Sequence, residues 1–219
     1  MATRRLLAEL AQAYEQGGGP KADIRAMGGV EAAKLVRAGE PTDVVILAQK
    51  VMKALENEGW LAAGAVKDFT RSEVGLAVPP GAHRPDIRSE AAVKQAMIDA
   101  RRICYSTGPS GDHLKALCEK WGLADTVLKR ALVAPPGVPV VSLLAKGEAD
   151  LGFQQISELM GQQAVDVVGP LPAAIQSVTV FSAGVSSKSK QPEKAAAFVA
   201  YLTSTETAEM KRRHGMDQA

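Results

Sequence analysis

An α/β fold is what the sequence predicts, and three observations carry that expectation. Stretches with apolar residues at helical spacing alternate with short apolar runs rich in Val and Ile, as at 30–38 and 43–48. Clusters of glycine and proline separate these segments, notably Gly17-Gly18-Gly19-Pro20 and Pro79-Pro80-Gly81. The chain has 219 residues, 46% hydrophobic and 23% charged, which suffices for the core of one large domain or two small ones without disulfides or metals.

Taken in order, Leu6, Leu7, Leu10, Ala11 and Tyr14 recur at helical spacing and predict an opening amphipathic helix that the glycine run ends. A strand is expected at 23–27, a helix at 30–38, a strand at 43–48 and a second helix ending near Gly59. This alternation is that of βαβ units, with a parallel sheet covered on both faces. A strand at 73–78 leads into the proline cluster, where regular structure breaks and a domain boundary is expected. Beyond it come a helix at 89–101, a strand at 102–106, helices at 112–121 and 138–146, and strands at 150–153 and 165–168, closed by Pro170 and Pro172. A β-branched run at 177–185 precedes one long helix expected over 192–214, whose apolar stripe of Ala195, Phe198, Val199 and Leu202 needs the first lobe to cover it. Lys211, Arg212 and Arg213 are read as a charged tail favouring that helix's C-terminus. The resulting domains are 1–78 with 184–219, and 82–181.

Composition narrows the function classes. Twenty-six Lys and Arg against 24 Asp and Glu leave a net charge of +2, and aromatic residues are 4%, so neither a phosphate-tracking face nor base-stacking rings are indicated and no nucleic-acid partner is expected. No run of about 18 apolar residues spans a membrane, and the first residues do not read as a signal peptide. Cys104 and Cys118 lack metal-ligand spacing and read as two buried thiols or a single bridge. No cofactor and no metal are expected.

Two strand-to-helix turns carry the chemistry, Met27-Gly28-Gly29 and Ser106-Thr107-Gly108-Pro109-Ser110-Gly111. Each puts small or hydroxyl residues at a helix start, where backbone N–H groups without intrahelical partners and the helix dipole favour an anion. Equally, the glycines can serve tight turns, with Ser110 or Asp112 as a simple cap. Competing motifs fail: no phosphate-binding GxxxxGK[ST] occurs, Gly17-Gly18-Gly19 lacks GxGxxG spacing, and Asp112 stands where a nucleophile elbow needs glycine. Arg71 can offer a bidentate fork to a carboxylate or form a surface ion pair. Gln154 and Gln155 follow a strand end as polar ligands or helix-start residues, and Tyr105 fits the core. His83, His113 and His214 share no metal-ligand spacing.

Met1-Ala2-Thr3-Arg4, Gly28-Gly29-Val30-Glu31-Ala32-Ala33, the 106–111 turn with Tyr105 before it, Gly152-Phe153-Gln154-Gln155 and Val168-Gly169-Pro170-Leu171-Pro172 together resemble the molybdate-binding-protein-like branch of the type II periplasmic solute-binding proteins. The resemblance runs over nearly the whole chain. It implies a two-lobe type II periplasmic-binding-protein fold with two crossing strands, near 78–81 and 182–184. It also implies an anion held by amides and hydroxyls in an interlobe cleft, ABC-type uptake with an ABC permease as partner, and a periplasmic location. Two departures stand out. The leader and first strand with its serine pair, which such proteins carry ahead of the segment matching Met1-Ala2-Thr3, are not in this sequence, so a missing first strand and an exposed sheet edge open to oligomerisation are expected, with a cytoplasmic location if Met1 is the true start. Met27-Gly28-Gly29 stands where molybdate binders have a serine.

The same branch is similar to the aconitate isomerases, which implies an alternative activity: cofactor-independent cis/trans isomerisation by allylic proton transfer. Arg71, Ser106, Thr107 and Ser110 are then donors to carboxylates, and Asp112, His113 and His83 are possible bases, none standing out. The binding reading asks for fewer special groups and comes first. Its ligand, a small oxyanion or a di- or tricarboxylate, is expected to contact Gly28, Gly29, Arg71, Ser106, Thr107, Gly108, Ser110, Gly111, Gln154 and Gln155.

Overall fold

The computed structural model describes residues 1–135 and 137–219. They form two compact units, one of Met1–Arg71 with Thr179–Ala219 and one of Ser72–Val178, so the chain passes between units at Arg71/Ser72 and at Val178/Thr179. The expected crossings near 78–81 and 182–184 lie several residues further along each strand.

In the first unit, α1 (Arg4–Gln16) and α2 (Gly29–Arg37) precede β1 (Val44–Ala48) and α3 (Gln49–Asn57), and β2 (Lys67–Val78) begins there. β1 runs antiparallel to β7 (Val178–Val185), with Val44 opposite Val185 and Ala48 opposite Phe181. Side chains alternate across this sheet. Phe181, Ala183 and Val185 pack with Leu6, Leu7 and Leu10 of α1 and with Phe198 and Val199, while Val45 and Leu47 pack with Ala33, Met52 and Leu55 of α2 and α3. Helices therefore cover both faces as expected, but the sheet pairs antiparallel here, because the neighbour of β1 comes from far along the chain rather than from the next βαβ unit. The expected strand at 23–27 is irregular. Ala22 and Ile24 lean on the core as a strand's inner face would, yet three charged residues among 21–25 supply no second apolar position to hold a pairing.

The long C-terminal helix is broken. α8 (Pro192–Thr203) stops at Ser204, a short 3₁₀ turn spans Thr205–Thr207, and α9 (Ala208–Arg213) leads to β8 (Asp217–Gln218), which pairs with the start of β2. Hydroxyls cause the break: Thr203 bonds back to the carbonyls of Val199 and Ala200, and Thr207 to those of Leu202 and Ser204, competing with the helical ladder. Lys211 is not part of a solvated tail. It is fully buried, its ammonium donates to Leu202 O at 2.7 Å and to Gln218 Oε1 at 2.5 Å, and it lies over the Phe69 ring. Arg212 and Arg213 remain exposed at the helix end and pair with Glu209 and Glu9.

The second unit holds the rest of β2, α4 (Glu90–Asp99), β3 (Ile103–Ser106), α5 (Pro109–Lys120), β4 (Leu132–Ala134), α6 (Val140–Ala145), β5 (Leu151–Gln155), α7 (Ile156–Leu159) and β6 (Asp166–Pro170). β3 lies parallel to both β4 and β5, whereas β2 runs antiparallel to β5 and β6. Phe153, Ile103 and Tyr105 face α4 and α5 in one core; Cys104 and Ala134 face α6 in the other. α6 approaches β5 so closely that a Cβ on Gly152 would lie 2.6 Å from Val140 and Leu144, which is why glycine stands there. Cys104 and Cys118 belong to opposite cores and are free thiols, so the bridge is ruled out.

Burial of Lys211 lowers its pKa from 10.5 to about 8. Between those values the unfolded chain holds a proton that the folded chain does not, so this residue's contribution to stability is least below the folded pKa and rises with pH across the window. Urea unfolding of wild type and Lys211→Met at about pH 7.5 and about pH 10 tests the sign: the variant's deficit in stability is larger at the higher pH.

Candidate functional site

Parallel strands end together, and this brings most of the expected contacts to one edge of the second unit's sheet. Tyr105 of β3 sits opposite Phe153 of β5, so Ser106 and the turn after it neighbour Gln154 and Gln155, about 5 Å away across the strands. In an open α/β sheet this carboxyl-terminal edge is where ligands bind.

The 106–111 turn is built for close approach. Gly108 has φ +117°, a region that L side chains rarely adopt, and it precedes Pro109 at the first turn of α5. A Cβ on Gly111 would lie 1.9 Å from Ser106 O and 3.0 Å from the Tyr105 ring, so α5 can start this near β3 only with glycine. No side chain caps the helix, which leaves the first-turn N–H groups of a twelve-residue helix without a capping acceptor. Ser110 in that turn is 3% exposed. Thr107 is exposed and Ser106 half-buried.

The two glutamines differ. Gln154 is braced within its own unit, its Oε1 accepting from Val140 N at 3.1 Å and its Nε2 donating to Glu158 Oε2 at 2.8 Å. Its amide positions α6 and Glu158 rather than standing free for a ligand. Gln155 is 3% exposed and sits opposite Val74 of β2. Beside it, Ser72 and Ser157 hydroxyls lie 3.3 Å apart, and Gln176 binds the Val74 amide and carbonyl, closing β2 onto the segment after β6.

Glu158 is the residue that motif reading missed. It lies on the short α7, and burial pushes its pKa from 4.5 up to about 7. In the sequence it stands four residues beyond Gln154, between Ser157 and Leu159. Two of the bases considered from sequence have other partners, and the third lies elsewhere. Asp112 pairs with Lys115 at 2.8 Å, and His113 Nε2 meets Ile175 O at 2.7 Å. His83 lines a groove with Ala100 and Leu151, at the opposite, amino-terminal ends of β3 and β5.

Gly28, Gly29 and Arg71 belong to the first unit. Gly28 is the N-cap of α2, again without a side-chain cap, and a Cβ on Gly29 would only touch Leu47 at 3.7 Å, so unlike Gly111 neither glycine is required by packing. Arg71 sits opposite Asp217 in the β2/β8 pairing, its Nε 3.8 Å from the carboxylate and its side chain half exposed. A further polar set lies nearby on β2 and β7: Asp68 accepts from Ser182 Oγ and Gln49 Nε2, each at 2.5 Å. No helix among the described residues is long and apolar enough to cross a membrane.

The sequence profile described as bacterial extracellular solute-binding protein matches residues 1–217. The chain belongs to that family. Its fold is that of the periplasmic binding proteins: the molybdate-binding protein of Azotobacter vinelandii superposes with a TM-score of 0.79, at 21% identity over 98% of this chain and 94% of that one. The substrate-binding domain of a putative molybdenum ABC transporter from Clostridium difficile gives 0.76, at 20% identity over 100% and 95%. Among characterised sequences, an aconitate isomerase from a Pseudomonas species is 36% identical over 215 residues, covering 95% of this chain and 81% of that protein.

Gly111→Ala tests the turn. The added methyl forces the α5 start away from β3, and thermal unfolding registers a loss of about 1–3 kcal/mol, the usual range for overpacking. The same change at Gly29 leaves the melting temperature nearly unchanged.

Proposed function

We propose that this solute-binding protein holds a small carboxylate-bearing anion at the carboxyl-terminal edge of the second unit's sheet. The observation that carries the reading is the uncapped start of α5, with Ser110 buried in its first turn. Such an arrangement presents backbone N–H groups and a hydroxyl to negative charge, and it needs no large net charge on the protein. Ser106, Thr107, Gly108 and Gly111 shape the turn, and Gln155 borders it. A carboxylate is favoured over molybdate because the relative at 36% identity is named for aconitate, whereas likeness to the molybdate binders near 20% supports the fold alone. Delivery to an ABC permease outside the cytoplasm follows from the same reading.

Calorimetric titration with trans-aconitate, citrate, sulfate and molybdate checks it. The tricarboxylates bind, and Ser110→Ala weakens them about tenfold, or ~1.4 kcal/mol, the worth of one hydrogen bond to a charged group. Absence of heat from all four anions overturns the binding reading.

A second reading, cis/trans aconitate isomerisation, is favoured by the 36% identity extending over 95% of the chain. It requires a group able to take a proton from carbon, in addition to carboxylate donors. Purified protein is expected to interconvert cis- and trans-aconitate, followed by absorbance; binding without interconversion leaves the chain a binding protein only.

A further inference from the structure

Resting on the aconitate reading, we propose that Glu158 is the proton-transfer residue of this site, with Gln154 as the positioning residue that aims it. Side chains alternate along a strand, so Ser106, two residues beyond Cys104, shares the sheet face that carries Cys104 and α6. Gly152 meets α6 on that same face, and Gln154, two residues further along β5, reaches α6 through Val140 N. Ser106 and Gln154 therefore end neighbouring strands on one face, and the 2.8 Å bond from Gln154 Nε2 to Glu158 Oε2 joins the carboxylate to that group. With Oε1 tied to Val140 and Nε2 tied to Glu158, the Gln154 amide cannot rotate without losing both bonds.

The chemistry suits the placement. Aconitate carries a methylene next to its double bond. A carboxylate at that carbon takes one proton, the C–H electron pair delocalises over the allylic system and its carboxylates, and return of the proton to the former vinylic carbon moves the double bond. The product has the same atoms and either geometry about the new double bond, with no oxidant, metal or second reactant consumed. Such a base works best when its own pKa lies near the working pH, and burial brings Glu158 there, to about 7. Amide N–H groups of the α5 start, facing the substrate carboxylates, would stabilise the charge that develops.

The experiment compares wild type, Glu158→Gln and Glu158→Asp for aconitate affinity by calorimetry, for turnover by absorbance, and for deuterium entering the substrate from heavy water by NMR. The expected result is affinity within about threefold in all three proteins, with turnover and deuterium incorporation at least about 100-fold lower in Glu158→Gln and partly retained in Glu158→Asp. Turnover in Glu158→Gln within about tenfold of wild type overturns the assignment. If Glu158→Gln does not fold, Glu158→Asp decides, and wild-type exchange and turnover in that variant overturn it. Wild-type protein that binds aconitate but neither isomerises it nor exchanges its protons removes the isomerase reading and the role of Glu158 together. Loss of binding in wild type instead strikes the ligand assignment.

Discussion

The contact between the start of α5 and the end of β3 is the constraint on which the site depends. A helix that begins this close to a strand must dispense with a side chain at the point of approach, and Gly111 is that point, with Ser106 O where its Cβ would be. The same turn holds Gly108, the N-cap at φ +117°, which offers no side chain to the first N–H groups of α5, and Ser110 lies buried in that first helical turn. An unsatisfied set of donors costs stability in a bare protein. On the proposed binding, an acceptor from outside that occupies the turn would recover that cost, which would link the folding of this segment to affinity for an anion.

Parallel pairing extends the constraint from a turn to an edge. Because β3, β4 and β5 point the same way, the segments leaving them emerge side by side, and residues distant in sequence, Ser106 and Gln154 among them, become neighbours without a dedicated contact. The antiparallel β2 then brings Ser72 to Ser157 at that edge. The amino-terminal edge of the same strands carries the groove with His83 and Asp150, where Arg101 and the Arg102 amide occupy the Asp150 carboxylate.

Much of this was legible in the sequence because it depends on local rules. The alternation of apolar periods located β1, α3, α5 and β5 to within a few residues, and glycine chemistry singled out the 106–111 turn. What stayed hidden depends on partners remote in sequence. The antiparallel neighbour of β1 is β7, more than 130 residues later, and no local pattern encodes that. The break at Ser204 came from threonine hydroxyls bonding backward, in a stretch whose apolar stripe reads as one helix. Gln154 looked like a ligand because a polar residue at a strand end so often is; only the position of Val140 N shows that its amide is already used. Glu158 escaped notice because a glutamate in sequence carries no mark of burial.

Burial of an ionisable group has two distinct outcomes in this chain, and the difference bears on where function lies. Lys211 is enclosed, lowered in pKa, and held by a carbonyl and an amide oxygen from the last turn of α8 and from β8. Its partners are the very segments it joins, so its burial is explained by the closure of the C-terminus. Glu158 accepts from Gln154, a residue itself fixed by a backbone amide and four residues before it on the continuous β5–α7 turn. Perturbed groups gather at working sites; the proposal places Glu158 at one, whereas the burial of Lys211 is explained by the segments that it joins.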